Sequence, residues 1–446
     1  MDKRKFYKTF FGLYISLVLQ NVITLSVNLT DNIMLGAYSE VALSGVTAAN
    51  QVQFIFQMVM NSFGEGIVIL GSQYLEKNKT EQVRRIAGIA MRFGLSVALL
   101  LSVLISLFPA QTIGLFTTDA DIIREGSSYL GIIRFTYLFF AITQILLAIL
   151  RTEHIVSIAF KLSLMTFFVN CGINYVLIFG HFGAPELGTA GAAVGTLTAR
   201  ILEVVVLVIY LAKKHTKIAF KPVYLFRRDK VLFADYMHVM GPMLFTNGLW
   251  GINTSLQTAI LGHMTAGAIA ANSAASNLYM LVKSASYGAA SAAGVMIGQA
   301  VGSGDMDRIK SEARQLQKTF VCIGSIAAIL LFFLRIPVLS LYDLQPETLE
   351  MANIFLIILC VIELGMAYQM PTSTGIIRGG GDTKFVVIMD LISNWCIVLP
   401  LSFVMAFVVQ APPAVVVFFL NSDQLFKCIP AYVRCNSWKW VRQLTR

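Results

Sequence analysis

Apolar positions in this chain fall into long runs separated by short polar stretches, and the runs recur from one end to the other. Runs of roughly 18 or more residues suffice to cross a hydrocarbon core of about 30 Å as a helix. About twelve such spans are expected: 10–29, 46–74, 86–108, 122–150, 160–179 and 187–211 in the first half, then 239–261, 268–297, 319–334, 349–375, 385–409 and 414–433. Period-two alternation at the length of a barrel strand is absent. The spans are therefore read as helices, which satisfy their backbone groups internally, and the fold class as an all-α polytopic membrane protein.

Composition strengthens that reading. Of 446 residues, 57% are hydrophobic and 13% charged, with mean hydropathy +0.72. The charged fraction is about half that of a soluble domain. A net charge of +10 raises the question of nucleic acid, but its placement excludes that partner. Lys3, Arg4, Lys5 and Lys8 precede the first span, Lys77, Lys79, Arg84 and Arg85 follow the second, and Lys213 to Lys230 is rich in Lys and Arg. Arg308, Lys310, Arg314 and Lys318 follow the eighth span, and Arg434, Lys439, Arg442 and Arg446 lie in the tail. By the positive-inside rule these loops and both termini are expected to be cytoplasmic, in a multi-pass plasma (inner) membrane protein. The basic, apolar start lacks a convincing small-x-small cleavage site, so it is expected to remain as the first span. Cys171, Cys322, Cys360, Cys396, Cys428 and Cys435 show neither a disulfide framework nor a zinc pattern.

A shift of about 226 residues superposes Leu35-Gly36 on Leu261-Gly262, Ala48-Ala49 on Ala274-Ala275 and Gln73 on Gln299; a shift of 227 brings Arg151 to Arg378. The ordered series implies a duplicated six-helix unit. Six crossings return the chain to its starting side, so the two lobes are expected to be related by a pseudo-two-fold axis along the membrane normal, as in transporters with parallel repeats. The expected organisation is an N-terminal lobe at 1–212, a cytoplasmic linker at 213–230, and a C-terminal lobe with its tail at 231–446. No Walker A or Gly-rich nucleotide fingerprint occurs, and Gly379-Gly380-Gly381-Asp382 reads as a helix-breaking turn. No enzyme activity and no cofactor are expected.

Thr30-Asp31-Asn32-Ile33-Met34-Leu35-Gly36, followed by Ala42-Leu43-Ser44-Gly45, resembles the first-span signature of the multidrug and toxic compound extrusion family. Ile376 to Lys384 is similar to that family's loop after the tenth span, Gly36, Gln73 and Gln299 fall where the family places them, and the similarity covers essentially the whole chain. The resemblance implies a two-lobed exporter that couples inward movement of Na+ or H+ to outward movement of organic, often cationic compounds. The partners it implies are small organic substrates and membrane lipids, with the chain a monomer.

Ionisable groups inside spans are costly, and each is a functional candidate. Asp31, Glu65, Arg134, Glu203, Lys283, Glu363 and Asp390 form that list. Asn170 and Asn174, spaced i, i+4, stack on one helix face, and a carboxylate with amide oxygens makes a hard-oxygen cluster suited to an alkali cation or a proton. Asp31 and Asn170 resemble the acidic residue and the amide of the family's amino-lobe cation site. Asn174 stands where some relatives carry an aspartate, and Thr196 matches a further hydroxyl ligand. An interfacial carboxylate touching headgroups is the alternative for Asp31. Under the repeat, Asp31, Asn170 and Asn174 correspond to Gln257, Ile397 and Leu401, so the cation site is expected in the first lobe only. Charge at Asp31 is expected to control the bend of the first span.

Glu363 is a candidate for attracting cationic substrates, or alternatively a structural hydrogen-bonding group. Glu65 and Glu203 read as structural partners of neighbouring spans, and Arg134 and Lys283 as paired or snorkelling. Met34, Phe54, Gln57, Met58 and Asn61 are candidates for the wall of a substrate cavity, with packing as the alternative. A lipid-linked saccharide or precursor flippase of the same superfamily is the alternative function. It would need several basic residues inside the spans to neutralise a pyrophosphate.

Overall fold

The computed structural model describes residues 3–116, 119–213, 218, 220–227, 229–262, 264, 266–340 and 345–442, and no strand occurs among them. The first half holds α1 (Lys3–Tyr38), α2 (Glu40–Glu76), α3 (Thr80–Leu107), the short α4 (Pro109–Gly114), α5 (Ala120–Ile133), α6 (Thr136–Thr152), α7 (Ser157–Phe179) and α8 (Gly188–Lys213). The second half begins with α9 (Lys230–Gly262), α10 (Ala266–Ser303), α11 (Met306–Leu339) and α12 (Pro346–Met370). It ends with α13 (Thr383–Leu391), α14 (Leu399–Phe403), α15 (Pro413–Asn421), α16 (Asp423–Phe426) and α17 (Cys428–Asn436). π-helical turns at Pro371–Ile377, Ile392–Val398 and Val404–Val408 prolong α12, α13 and α14.

Among the described residues nine continuous helical stretches are long and apolar enough to span a membrane, and the bent pair α5 and α6 makes a tenth. The long helices α9 and α10, of 33 and 38 residues, complete a path of twelve. Most helices outrun their apolar cores. The span expected at 319–334 starts at Met306, where the Asp305 carboxylate caps the helix by accepting from the Asp307 and Arg308 amides. Charged turns form helix readily once capped, and hydropathy registers only the apolar remainder. The expected span 122–150 is α5 and α6 meeting at a 52° bend. There the Arg134 carbonyl accepts from Ser102 Oγ at 2.7 Å, a side-chain intrusion of the kind that kinks helices.

The chain divides into two compact units: Leu19–Met240, and Met1–Val18 together with Gly241–Arg446. α1 and α9 are each shared between them, so residues 1–18 group with the second half and 231–240 with the first. In the Leu19–Met240 unit, Tyr236 on α9 is fully buried, donates its hydroxyl to the Phe63 carbonyl at 2.9 Å and packs against Gly66. Of the expected linker, residues 214–217, 219 and 228 lie outside the described residues. Its described part is held down: Ile218 N–H donates to Glu153 at 2.8 Å, and Tyr224 donates to Glu81 at 2.8 Å.

In the other unit the Gly379-Gly380-Gly381-Asp382 turn proves to be a socket. Gly381 takes φ +104°, and a Cβ on Gly380 would lie 2.1 Å from the fully buried Trp440 ring, so only glycine admits the tail. Arg442 N–H donates to the Gly380 carbonyl at 2.9 Å, and Asp382 pairs with both Arg434 and Arg442.

Candidate functional site

In the Leu19–Met240 unit, α1, α7 and α8 converge on a polar cluster. Asn174 Nδ2 donates to Asp31 Oδ1 at 2.7 Å, and the same amide lies 3.3 Å from Asn170 Oδ1. Asn170 Nδ2 donates in turn to Thr196 Oγ1 at 3.2 Å. The four residues singled out in the sequence thus form one connected chain, and Asp31 faces the amides. Both asparagines are buried, at 2% and 0% exposure, while Asp31 is half-buried. The i, i+4 spacing on α7 stacks the two amides as expected.

One atom of this cluster is left open. Asn174 Oδ1 is buried and has no hydrogen-bond partner among the described residues. Buried polar atoms are nearly always partnered, and an amide oxygen beside a carboxylate is of the type that accepts from a donor or ligates a hard cation. The donors present are all oxygens: a carboxylate, two amide carbonyls and a hydroxyl. That set fits Na+, and the carboxylate alone fits a proton.

Close approach of α8 makes the arrangement possible. A Cβ on Gly195 would stand 2.1 Å from Asn174 Oδ1 and 3.5 Å from the Asn170 carbonyl. Sequence reading missed Gly195, and also Tyr129 of α5, whose buried hydroxyl contacts Thr196. A lone tyrosine or glycine in a helical run carries no pattern that marks it. Behind the cluster, Arg200 pairs with the buried Glu203 at 2.7 Å and stands 5.1 Å over the Phe140 ring, the structural role expected for Glu203.

Phe54, Gln57, Met58 and Asn61 recur at i, i+3, i+4 and i+7 on α2, and all four are half-buried, as is Met34 on α1. They belong to the Leu19–Met240 unit, whereas Glu363 belongs to the other.

Glu363 is fully buried on α12, and Ser286 Oγ donates to its Oε1 at 3.0 Å. Lys283 stands 5.7 Å from the Tyr279 ring and 5.8 Å from that of Tyr287, so its charge is shared with aromatic faces. Asp390 is held by an interaction the sequence did not suggest. Lys427 Nζ lies 2.9 Å from Asp390 and 2.8 Å from Asp423, and Gln424 Nε2 donates to Asp423 at 2.7 Å. Lys427 and Asp423 are each only 3% exposed.

The family profile described as MatE matches residues 16–176 and 242–404. A probable multidrug resistance protein NorM of Thermotoga maritima is 24% identical over 443 residues, covering 96% of this chain and 92% of the relative. Another of that name from Rhizobium meliloti is 28% identical over 381 residues, covering 83% and 80%. The solved bent form of the Vibrio cholerae MATE transporter VcmN matches with TM-score 0.87 at 15% identity, over 99% of this chain and 98% of that one. An outward-facing multidrug resistance MATE transporter of the MOP superfamily gives TM-score 0.87 at 15% identity over 97% and 96%. At such identities these structures establish the fold.

Proposed function

The chain belongs to the MatE family of multidrug and toxic compound extrusion transporters, which are not enzymes, and on that premise we propose that it is a secondary antiporter of the plasma membrane. It exports organic, chiefly cationic compounds against inward Na+ or H+, works as a monomer by alternating access, and keeps both termini cytoplasmic. The coupling site is the cluster of Asp31, Asn170, Asn174 and Thr196. The observation that carries this reading is the Asp31–Asn174 contact at 2.7 Å with Asn174 Oδ1 left buried and open beside it.

The physical logic is a competition for one charge. An ionised Asp31 accepts from the Asn174 amide; a proton or Na+ taken from outside neutralises it and weakens the hold of α7 on α1. A carboxylate inside a span is costly while charged, so neutralisation also relaxes α1. α1 then bends toward the state that releases the organic compound outward. A ligand biases such an equilibrium only through its differential affinity for the two states, which the charge of Asp31 supplies. In the Leu19–Met240 unit the α2 face of Phe54, Gln57, Met58 and Asn61, with Met34, offers organic compounds adaptable apolar contact, and in the other unit Glu363 offers a negative charge.

Efflux of a cationic dye from everted vesicles tests this reading, with a Na+ gradient and a proton gradient applied separately. One of the two gradients is expected to drive export in the wild type and neither in Asp31→Asn. Dependence on ATP, or export by Asp31→Asn at the wild-type rate, would refute it.

A further inference from the structure

A basic groove lies in the Leu19–Met240 unit, apart from the Asp31 cluster. α3 and the start of α9 flank an open cavity of about 380 Å³ lined by Arg92, Phe93, Ser96, Asp229, Lys230 and Phe233. Arg92 sits six positions inside the apolar run that begins at Ile86, about 9 Å along the axis. Its Nε is buried and has no hydrogen-bond partner among the described residues. An arginine placed in a span is normally paired with an anion or a carbonyl.

The one acid in the lining cannot serve. Asp229 Oδ1 accepts from the Val231 and Leu232 amides, both at 3.1 Å, and its Oδ2 from Arg85 at 3.2 Å. The Leu232 amide first, and Arg85 with it, hold its carboxyl below the usual range, so it stays ionised and committed to the end of α9. Arg85 is likewise committed, to Asp229 and Glu81. That leaves Arg92 and the exposed Lys230 as the charge the cavity offers.

Phe93 and Phe233 stack across the same cavity with ring centroids 5.8 Å apart, 22° from parallel. A free inorganic anion has no use for two stacked rings; an anion with an apolar body does. Side chains on a helix lean toward its N-terminus, so Arg92 leans toward the end of α3 that carries Arg84 and Arg85. In the topology proposed above that end is cytoplasmic, at the headgroup level of the inner leaflet. Basic pockets of this kind and depth suit anionic headgroups.

We propose that this cavity binds the headgroup of an anionic glycerophospholipid, with the Arg92 guanidinium and the Lys230 ammonium on its phosphate and the Phe93–Phe233 pair against its glycerol and upper acyl chain. The inference rests on the proposed topology and is independent of the coupling ion.

The test is native mass spectrometry of the purified full chain, released from mixed vesicles of phosphatidylglycerol and phosphatidylcholine, with thermal melting in each lipid alongside. The wild type is expected to retain phosphatidylglycerol selectively and to melt higher in it. Arg92→Gln and Lys230→Gln are each expected to weaken retention about five-fold, as fits the loss of one basic group at a membrane surface. Phe233→Ala should weaken it without changing charge, and the exposed Lys318→Gln should leave it unchanged. Equal retention by wild type and Arg92→Gln would overturn the proposal. So would full stabilisation by inorganic phosphate alone, which would mark a small-anion site, or displacement of phosphatidylglycerol by a polyprenyl pyrophosphate, which would mark a flippase substrate. Should Arg92→Gln fail to fold, Lys230→Gln and Phe233→Ala carry the same test at the surface. Failure of dye export with lipid retention intact would count against the antiport reading alone.

Discussion

The two units differ in what surrounds the carboxylates of their spans. In the Leu19–Met240 unit, Asp31 accepts from the Asn174 amide, which leads on through Asn170 to Thr196, and Asn174 Oδ1 has no partner among the described residues. In the other unit, the repeat-related positions Gln257, Ile397 and Leu401 form no such cluster. Gln257 donates to the Leu420 carbonyl at 3.3 Å, and Ile397 and Leu401 are 40% and 37% exposed, apolar surface of a span. There Asp390 and Asp423 are matched by Lys427, while Glu363 accepts from Ser286 on Oε1 and its buried Oε2 has no hydrogen-bond partner among the described residues. A duplicated scaffold can keep its helices while the amides of one copy's polar cluster are replaced by apolar residues in the other.

The Lys427 triad should be the most fragile to mutation. Lys427→Met leaves the buried Asp423 and the half-buried Asp390 without their cation, and stripping one member from a buried ion pair costs about 3–5 kcal/mol. The thermal midpoint of the purified variant checks this, and a near-wild-type midpoint would mean that water already solvates the triad.

Asp31→Asn should cost little stability but remove coupling. Neither gradient should then drive dye efflux, a loss of the whole coupling free energy, about 1–3 kcal/mol. Glu363→Gln should leave the ion dependence in place and raise the KM for cationic dyes, which separates the two carboxylates by kind of defect.

Gly195→Ala sharpens the comparison further. The added methyl displaces the Asn174 amide, the free end of a side chain, so the fold should survive while the Asp31 contact is lost and efflux drops about ten-fold, one hydrogen bond to a charged group. Gly172→Ala on the same α7 meets nothing within 4 Å and should leave efflux unchanged.

The smallest effect belongs to Asp229→Ala, which removes the cap of α9 and should cost about 1 kcal/mol. Because the folded carboxyl titrates below its unfolded value, that contribution is fully present above pH ~4 and is lost as pH falls through the folded value. Melting curves of wild type and variant should converge in acid.

The helical path was legible because lipid as solvent makes hydropathy nearly sufficient. What hydropathy hid were the polar turns that lengthen α11 and the bend at Arg134, set by a hydroxyl 32 residues away. The polar cluster was readable from Asp31 and the Asn170, Asn174 spacing, since helical periodicity alone stacks those amides. Gly195 and Tyr129 were not, because their roles depend on how closely α8 and α5 approach. Arg92 was overlooked for a related reason: its significance is a missing partner, and a sequence does not display absences. Lys427 escaped notice because 37 residues separate it from Asp390 and no periodicity links α13 to the junction of α16 and α17.

The most direct test is ion binding to purified protein, followed by calorimetry for Na+ and by a pH indicator for protons, with release triggered by a cationic dye. The wild type should bind one coupling ion and release it on dye addition, Glu363→Gln should do the same, and Asp31→Asn should bind none. Normal binding and release by Asp31→Asn, with loss in Glu363→Gln, would place the coupling site in the other unit and contradict the account.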